Sequence, residues 1–431
     1  MNYIKLIQKR VNEYRESKHL SDDPLVADLQ KALELDRVLE NLDERKLYSK
    51  DESVFEGGIA GPVCFPLTTE EVQAIMKIAE KHDRHVIPRG AGSGLAGGAI
   101  PLGAPIVIAM TKMNNILEVD TDNRIAWVEP GVINLELSDY LKPFGFHYAP
   151  DPSSQQICTL GGNVANNSGG PHCLADGVTD THVLALEVVL PNGEVTIFGG
   201  LDAEPAGLDL RGAFIGSEGT LGITTKIAVR LTPNPDDVQT LLISFPSMRK
   251  AAETVSAIIA DGIVPAAMEA MDQKTIEVIE KHIPSGYPTD AGAVLLVEVE
   301  GLPDGVEIEA LRIGEIAENH DASDIKIAQT SYQRDALWKG RKSAFGASTY
   351  LAPNYYLHDT VVPRSELADV LDKVNALAEE NNLTIMNVFH AGDGNLHPLL
   401  VFDASEEGTC LLYTSDAADE GLGVDLGGRR I

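Results

Sequence analysis

The stretch "PRGAGSGLAGG" (residues 88–98) decides how the first half of this chain folds. Within it Gly92, Gly94 and Gly97 match G-x-G-x-x-G. A dinucleotide-binding Rossmann turn needs a helix immediately after those glycines. Here "IPLG" (100–103) comes next and starts no helix. The Rossmann reading therefore fails. What remains is a loop after a short strand, "HVIPRG" (85–90), whose glycines permit unusual backbone angles. Two readings stay open on this loop alone. It is a tight turn with incidental glycines, or its successive N–H groups converge into an anion nest with the positive Arg89 at the mouth.

The pattern before the loop is helical. Thr68 and Glu71 predict a capping box, and Val72, Ile75 and Ala79 share one helical face. Further upstream, "DPLVADLQKALELDRVLENL" (23–42) predicts a helix that docks on a larger body. Downstream, "APIVIAM" (104–110) is an apolar strand. "ILEVDTDNRIAWVEPGV" (116–132) gives two strands around a turn at Asp122–Asn123. "HVLALEVVLPNGEVTIFGG" (182–200) is a hairpin turned by Pro191-Asn192-Gly193. Two further loops are rich in small residues: "PDPSSQQICTLGGNVANNSGG" (150–170) and "GSEGTLGI" (216–223). Loops that long inside a domain are usually functional, and small residues let a flat ring or a diphosphate approach the backbone. Glu218 offers an acceptor to a ribose or adenine donor.

"TPNPDD" (232–237) marks a linker. After it the chain predicts strand, helix, strand over 238–272, a buried strand at 292–301, and strand, helix, strand, loop, strand over 357–403. This second part reads as α+β, an antiparallel sheet with helices on one face. The length of 431 residues fits two domains. With 34 basic and 65 acidic residues the net charge is −31, which argues against nucleic-acid binding and against docking on anionic lipid by charge alone. Cys64, Cys158, Cys173 and Cys410 form no C-x-x-C pair, and so few cysteines suit a reducing cytoplasm. The first twenty residues lack a signal-peptide core, and no run reaches transmembrane length.

The second cluster of chemistry is "VFHAGDGNLHP" (388–398). His390 and His397 leave and re-enter strands around a Gly-Asp-Gly-Asn loop. Neutral imidazoles suit zinc, manganese or iron, but two of them need a third ligand to make a catalytic site. The alternative is that Asp393 and Asn395 serve the turn while the histidines hydrogen-bond structurally. Arg341 is either a carboxylate binder or a surface arginine beside Lys339 and Lys342. Asp359 and Arg364 are weaker candidates.

Taken together, "PRGAGSGLAGG", "LGGNVANNSGG" and "GSEGTLGI" resemble the vanillyl-alcohol-oxidase-type (PCMH-type) FAD-binding domain. "WKGRKSAFGA", "HDTVVPRS" and "HAGDGNLHP" resemble the FAD-linked oxidase C-terminal domain. The pairing is similar to glycolate oxidase FAD-binding subunits and to D-lactate and D-2-hydroxyglutarate dehydrogenases, over roughly residues 50–405. The resemblance implies an α+β fold. A helical segment (1–50) precedes a two-subdomain FAD-binding domain (51–232) and an α+β substrate-side cap with an antiparallel sheet (233–409). It implies that FAD is gripped by Arg89, Gly90, Ala91, Gly92, Ser93 and Gly94. Pro150, Asp151, Ser154, Gly161, Gly162, Asn163, Asn167 and Gly169 would continue the cleft, and Glu218, Gly219, Gly222 and Ile223 would complete it. Relatives with covalent flavin usually offer a histidine in or near the first loop. Ser93 and its neighbours offer none, so non-covalent FAD is expected.

For the second part the resemblance implies a divalent metal, zinc or manganese, on His390 and His397, with Arg341 on the substrate carboxylate. In relatives a glutamate of a later GEHG-like motif completes the metal site, and the next histidine is the candidate base. This chain has no GEHG. Its last residues, "CLLYTSDAADEGLGVDLGGRRI" (410–431), back-translate to a transposase-type sequencing adapter, so the natural sequence is expected to stop at about Thr409. The expected activity is oxidation of a small D-2-hydroxy acid to the 2-oxo acid. Hydroxyglutarate relatives place a lysine near Leu357, which favours glycolate or D-lactate here. Electrons would pass to partner subunits or a respiratory acceptor. The setting would be cytoplasmic, at the inner face of the membrane through partners. The rival is a non-catalytic or truncated flavin-binding subunit of a multi-subunit oxidase.

Overall fold

The computed structural model describes residues 20, 23–53, 55, 57–201 and 207–406. The expected adapter stretch 410–431 and most of the first twenty residues lie outside them. The chain divides into two compact units between Asn234 and Pro235.

In the first unit α1 (Pro24–Leu33) is capped by Asp23, whose carboxylate accepts from the N–H of Leu25. It buries Leu25, Val26, Leu29 and Leu33. The helix predicted across 23–42 stops early. Glu34 sits at φ 71°, and a short strand, β1 (Val38–Leu39), pairs with β2 (Val63–Cys64). The break lets the buried Arg37 reach Glu71, with Nη2 2.7 Å from Oε1. α2 (Thr69–Lys81) starts as predicted, with the Thr68 hydroxyl accepting from the N–H of Glu71. The Glu71 carboxylate instead serves Arg37 and the N–H of Leu67, so the box is half made. Val72, Ile75 and Ala79 are buried against α1 in one cluster.

β3 (Val86–Arg89) and β4 (Ile106–Ala109) run parallel, and the sheet order is β1-β2-β4-β3. The first glycine loop leaves the carboxyl end of β3, where open parallel sheets place ligands. A second sheet holds β5 (Ile116–Asp120), β6 (Ile125–Val128), β7 (Val183–Val189), β8 (Val195–Gly199) and β9 (Ile223–Arg230). Its order is β5-β6-β9-β7-β8, all antiparallel. The β7–β8 hairpin turns at Gly193, φ 79°, as its Asn-Gly pair predicts. α3 (Leu160–Asn166) carries the middle of the second loop.

The second unit is a larger antiparallel sheet. Its elements are β10 (Asp237–Phe245), α4 (Met248–Ala260), β11 (Ala267–Asp272), α5 (Gln273–His282), β12 (Ala293–Gly301), α6 (Pro303–Asn319), β13 (Asp324–Ile327), α7 (Ser331–Lys342), β14 (Thr360–Val361), α8 (Leu367–Glu380), β15 (Thr384–His390), β16 (Asn395–Leu396) and β17 (Pro398–Phe402). The strand order is β13-β10-β12-β11-β15-β16-β14, and β17 pairs with β15. Helices cover both faces, not one. Ile276 and Ile279 of α5 pack with Val294 and Leu296. The alternate residues Leu295 and Val297 are equally buried, and α4 and α6 pack on β12 as well. A central strand buried on both faces reads as an unbroken apolar run, which "AVLLVEV" is.

Candidate functional site

In the first unit the three glycine loops converge. A Cβ on Gly90 would stand 2.4 Å from the Thr159 hydroxyl, so the first loop lies directly on the second. A Cβ on Gly219 would stand 2.4 Å from Cγ of Pro88, so the third loop lies on the start of the first. The N–H groups of Gly216 and Glu218 donate to the carbonyls of Val164 and Ala165, at 2.9 and 2.8 Å, tying the third loop to the second. Glu218 itself sits at φ 52°, a left-handed backbone unusual for its type.

Within this frame the implied residues divide. Around Gly94 no heavy atom of the described residues beyond its chain neighbours lies within 4 Å of where a Cβ would be, so the loop offers open space there. Ala91 is exposed, and Ser93, Ser154 and Gly162 are part-exposed. Arg89 is not at the mouth. It is 8% exposed and runs beneath the loop, with Nη1 donating to the carbonyl of Ala99 and the guanidinium 5.7 Å from the Tyr48 ring. Burial pushes its pKa down. Gly92, at φ 75°, is required there because a side chain would strike that guanidinium.

Other members hold the second loop together. Asn163 is buried, and its Oδ1 accepts from Asn134, which also donates to the carbonyl of Pro150. Asp151 pairs with Nδ1 of His172 at 3.0 Å. Asn167 ends α3 at φ 48° and accepts from the N–H of Asp180. Gly161 packs on Pro130 and Gly169 on Cys173. Gly222 opens β9, and the side chain of Ile223 lies in the core. The open space beside Gly94, in a loop packed on the other two at Gly90 and Pro88, fits a group that approaches the backbone closely, as a flavin diphosphate does.

In the second unit His390 ends β15 and His397 stands just before β17. Their ring centroids are 4.9 Å apart at 84°. The intervening loop is braced, not floppy. The N–H groups of Ala391 and Gly392 donate to the carbonyl of Met268, and Nε of Arg364 donates to that of Gly392 at 2.6 Å. Gly394, at φ 79°, lies against the carbonyl of Val362, where a Cβ would have 2.3 Å. Asp393 and Asn395 do serve the turn, the carboxylate accepting from the N–H of Asn395.

His397 is 7% exposed, and neither ring nitrogen makes a hydrogen bond among the described residues. Burial pushes its pKa below the ordinary value, which keeps the ring neutral and ligand-ready. Asp359 lies 3.5 Å from its Nε2. His390 Nδ1 meets Oε1 of Glu269 at 2.7 Å. Glu269 sits on β11 directly opposite His390 and is fully buried. Its other oxygen lies 2.5 Å from Nη2 of Arg341. Burial would raise the Glu269 pKa, but Arg341 and His390 outweigh it and hold the carboxylate ionised. Arg341 is buried too, at 1% exposure, so it is no surface arginine. Its Nε and Nη1 have no hydrogen-bond partner among the described residues. Orphaned imidazole nitrogens beside two unpartnered guanidinium donors fit a metal with an anionic ligand. Among the described residues of this unit, no third imidazole, thiol or carboxylate groups with both histidines within 4.8 Å. Sequence reasoning missed Glu269. Its signal was an acid in the middle of the apolar strand "AMEAMD".

Comparison with known proteins agrees with this geometry. Residues 60–199 match the FAD binding domain family, and residues 234–422 match the C-terminal domain of FAD linked oxidases. The second match runs into the stretch expected to be adapter. The glycolate oxidase subunit GlcD of Escherichia coli K12 is 43% identical over 80% of this chain and 69% of its own length. A D-lactate dehydrogenase of Anaerostipes hadrus is 33% identical over 86% of this chain and 80% of its own. A 4-ethylphenol oxidase from Gulosibacter chungangensis, 16% identical, shares the fold with a TM-score of 0.74 over 89% of this chain and 83% of that one. An FAD-binding domain of this type, joined to this C-terminal domain and 43% identical to a relative over 69% of that relative's length, leaves one assignment: the chain belongs to the FAD-linked oxidases.

Proposed function

We propose that this chain oxidises a small D-2-hydroxy acid, glycolate or D-lactate, to the 2-oxo acid with non-covalent FAD. The observation that carries the reading is the His390–Glu269–Arg341 cluster, its acid and guanidinium buried and two guanidinium donors unpartnered among the described residues, on a chain of flavin-oxidase family. FAD, when bound, accepts the hydride equivalent from the substrate Cα. The glycine loops would hold it, with no histidine in the first loop to bond it covalently. A divalent metal on His390 and His397 would supply Lewis acidity at the 2-hydroxyl.

The chain's own groups supply the rest. Arg341 would take the substrate carboxylate with the donors that Glu269 leaves free, a charge-assisted contact in a dry site. The neutral His397 adds no positive charge that would repel a metal ion. Electron-transfer partner subunits would take the electrons onward, as the subunit naming of the GlcD relative suggests. Among the described residues no helix is long and apolar enough to cross a membrane, so a place at the inner membrane face would depend on those partners.

The test is anaerobic. Purified protein is loaded with FAD, and its flavin absorbance is followed on adding glycolate, D-lactate, L-lactate or D-2-hydroxyglutarate. Bleaching by glycolate or D-lactate, and not by L-lactate, is expected. FAD retention without bleaching by any 2-hydroxy acid would leave only a flavin-binding subunit.

A further inference from the structure

We propose that Glu269 is a positioning residue that serves both arms of the site: it fixes the tautomer of His390 through one oxygen and pins Arg341 through the other. The proposal rests on the reading of His390 as a metal ligand and adds what makes it one. An ionised carboxylate only accepts hydrogen bonds. At 2.7 Å from Oε1, Nδ1 of His390 must therefore carry the ring proton. A neutral imidazole has one N–H, so the lone pair is left on Nε2. A carboxylate behind a histidine in this way orients the ring and raises its basicity toward a metal.

The placement is set by the fold, not by a flexible side chain. Glu269 and His390 are cross-strand partners on β11 and β15. Met268, one residue earlier, accepts from the loop between the histidines. One short strand thus sets the ring of His390 and the path of the chain toward His397. The second oxygen of Glu269 holds Nη2 of Arg341 at 2.5 Å, and Nε and Nη1 have no hydrogen-bond partner among the described residues. Burying an acid at 0% exposure in an apolar strand is costly, and a packing role would be met by an apolar side chain. Two charged partners on separate oxygens give the acid a reason to be there.

The deciding measurement needs neither metal nor flavin. The chain is labelled with 15N-histidine, and two-bond 1H–15N correlations report each ring's tautomer. His390 is identified among the 11 histidines by its loss in His390→Gln. The expected result is the Nδ1–H tautomer in the unmodified protein. The double variant Glu269→Leu/Arg341→Met removes the acceptor and both charges together. It should shift His390 toward Nε2–H, the form an imidazole favours in water. Cobalt(II) titration should show affinity reduced about 10- to 100-fold in that variant, and unchanged by the same pair of substitutions once His390 is Gln. A merely structural Glu269 would lower cobalt affinity equally in both backgrounds, and that result overturns the proposal. If the double variant does not fold, the unmodified protein decides alone, since His390 in the Nε2–H form refutes the role. Flavin bleaching by hydroxy acids is read separately, so failure of either idea leaves the other standing.

Discussion

Gly90→Ala tests whether the first and second glycine loops are locked together. The new Cβ would lie 2.4 Å from Oγ1 of Thr159, about an ångström inside ordinary contact. Thr159 is 3% exposed and cannot swing into solvent. Its hydroxyl also caps α3, accepting from the N–H of Gly162 at 3.3 Å. Relief therefore takes both the loss of the cap, worth about 1 kcal/mol, and a shift of packed backbone, at about 1–3 kcal/mol. The sum is about 2–4 kcal/mol against the first unit. Thr159→Ala removes the obstacle. The next contacts of the new Cβ are Thr159 Cβ at 3.6 Å and Gly162 Cα at 3.8 Å, both ordinary. In that background Gly90→Ala should cost less than about 0.5 kcal/mol. Thr159→Ala alone should cost about 1–2 kcal/mol for the cap and a lost buried methyl.

The readout is urea unfolding followed by Trp127 fluorescence in a Trp338→Phe background. Trp127 lies in the first unit and Trp338 in the second, and the chain has only these two. The coupling between the substitutions should be about 2–3 kcal/mol. Equal costs of Gly90→Ala with and without the threonine hydroxyl would refute the packing argument.

Gly94→Ala should leave stability within about 0.5 kcal/mol, because among the described residues nothing beyond its chain neighbours lies within 4 Å of the new Cβ, yet weaken FAD binding measured by equilibrium dialysis. Unchanged FAD affinity would show that the ligand does not approach there. Leu29→Ala removes a fully buried side chain between α1 and α2 and should cost about 2–5 kcal/mol in the same urea assay. The folded His397 has a lowered pKa, so below the unfolded value of about 6.5 the unfolded chain binds a proton that the folded chain refuses. Stability should therefore fall as pH drops below 6.5, and His397→Asn should flatten that slope in metal-free urea titrations at pH 5 to 7. Arg341→Lys keeps a charge but loses the planar fork, and should raise the KM for the hydroxy acid far more than it weakens FAD retention.

What the sequence made legible was local. The Asn-Gly hairpin at 192–193 and the start of α2 at Thr68 each depend on neighbours within a few positions, and the chain states them directly. The three glycine loops were legible because positive φ at Gly92, Gly216 and Gly219, and packing too close for a Cβ at Gly161, Gly169 and Gly170, each leave a trace in residue type. The break after Leu33 left none. Glu34 has no glycine or proline beside it, and its left-handed φ is imposed by the contacts of the residues just after it. Arg37 must turn back to Glu71, and Val38 must pair with Cys64. Tertiary demand overrode a good helical pattern.

The same distinction explains the site in the second unit. His390 and His397 could be found because they lie seven positions apart in one loop. Glu269 could not, since it meets His390 across 121 positions of chain through a strand pairing that no short window encodes. Arg341 was found by resemblance, but its buried ion pair was not, and that pair changes its chemistry. An exposed arginine would trade a substrate carboxylate for water. This one, pinned at Nη2 with its other donors unmet among the described residues, would under the proposed function meet a carboxylate without first giving up bulk solvent. An acid inside a strand that otherwise reads "A-M-x-A-M" is therefore the observation to follow. Such a residue is tolerated only where cations or donors meet it from elsewhere in the fold, and those partners mark where the chemistry is assembled.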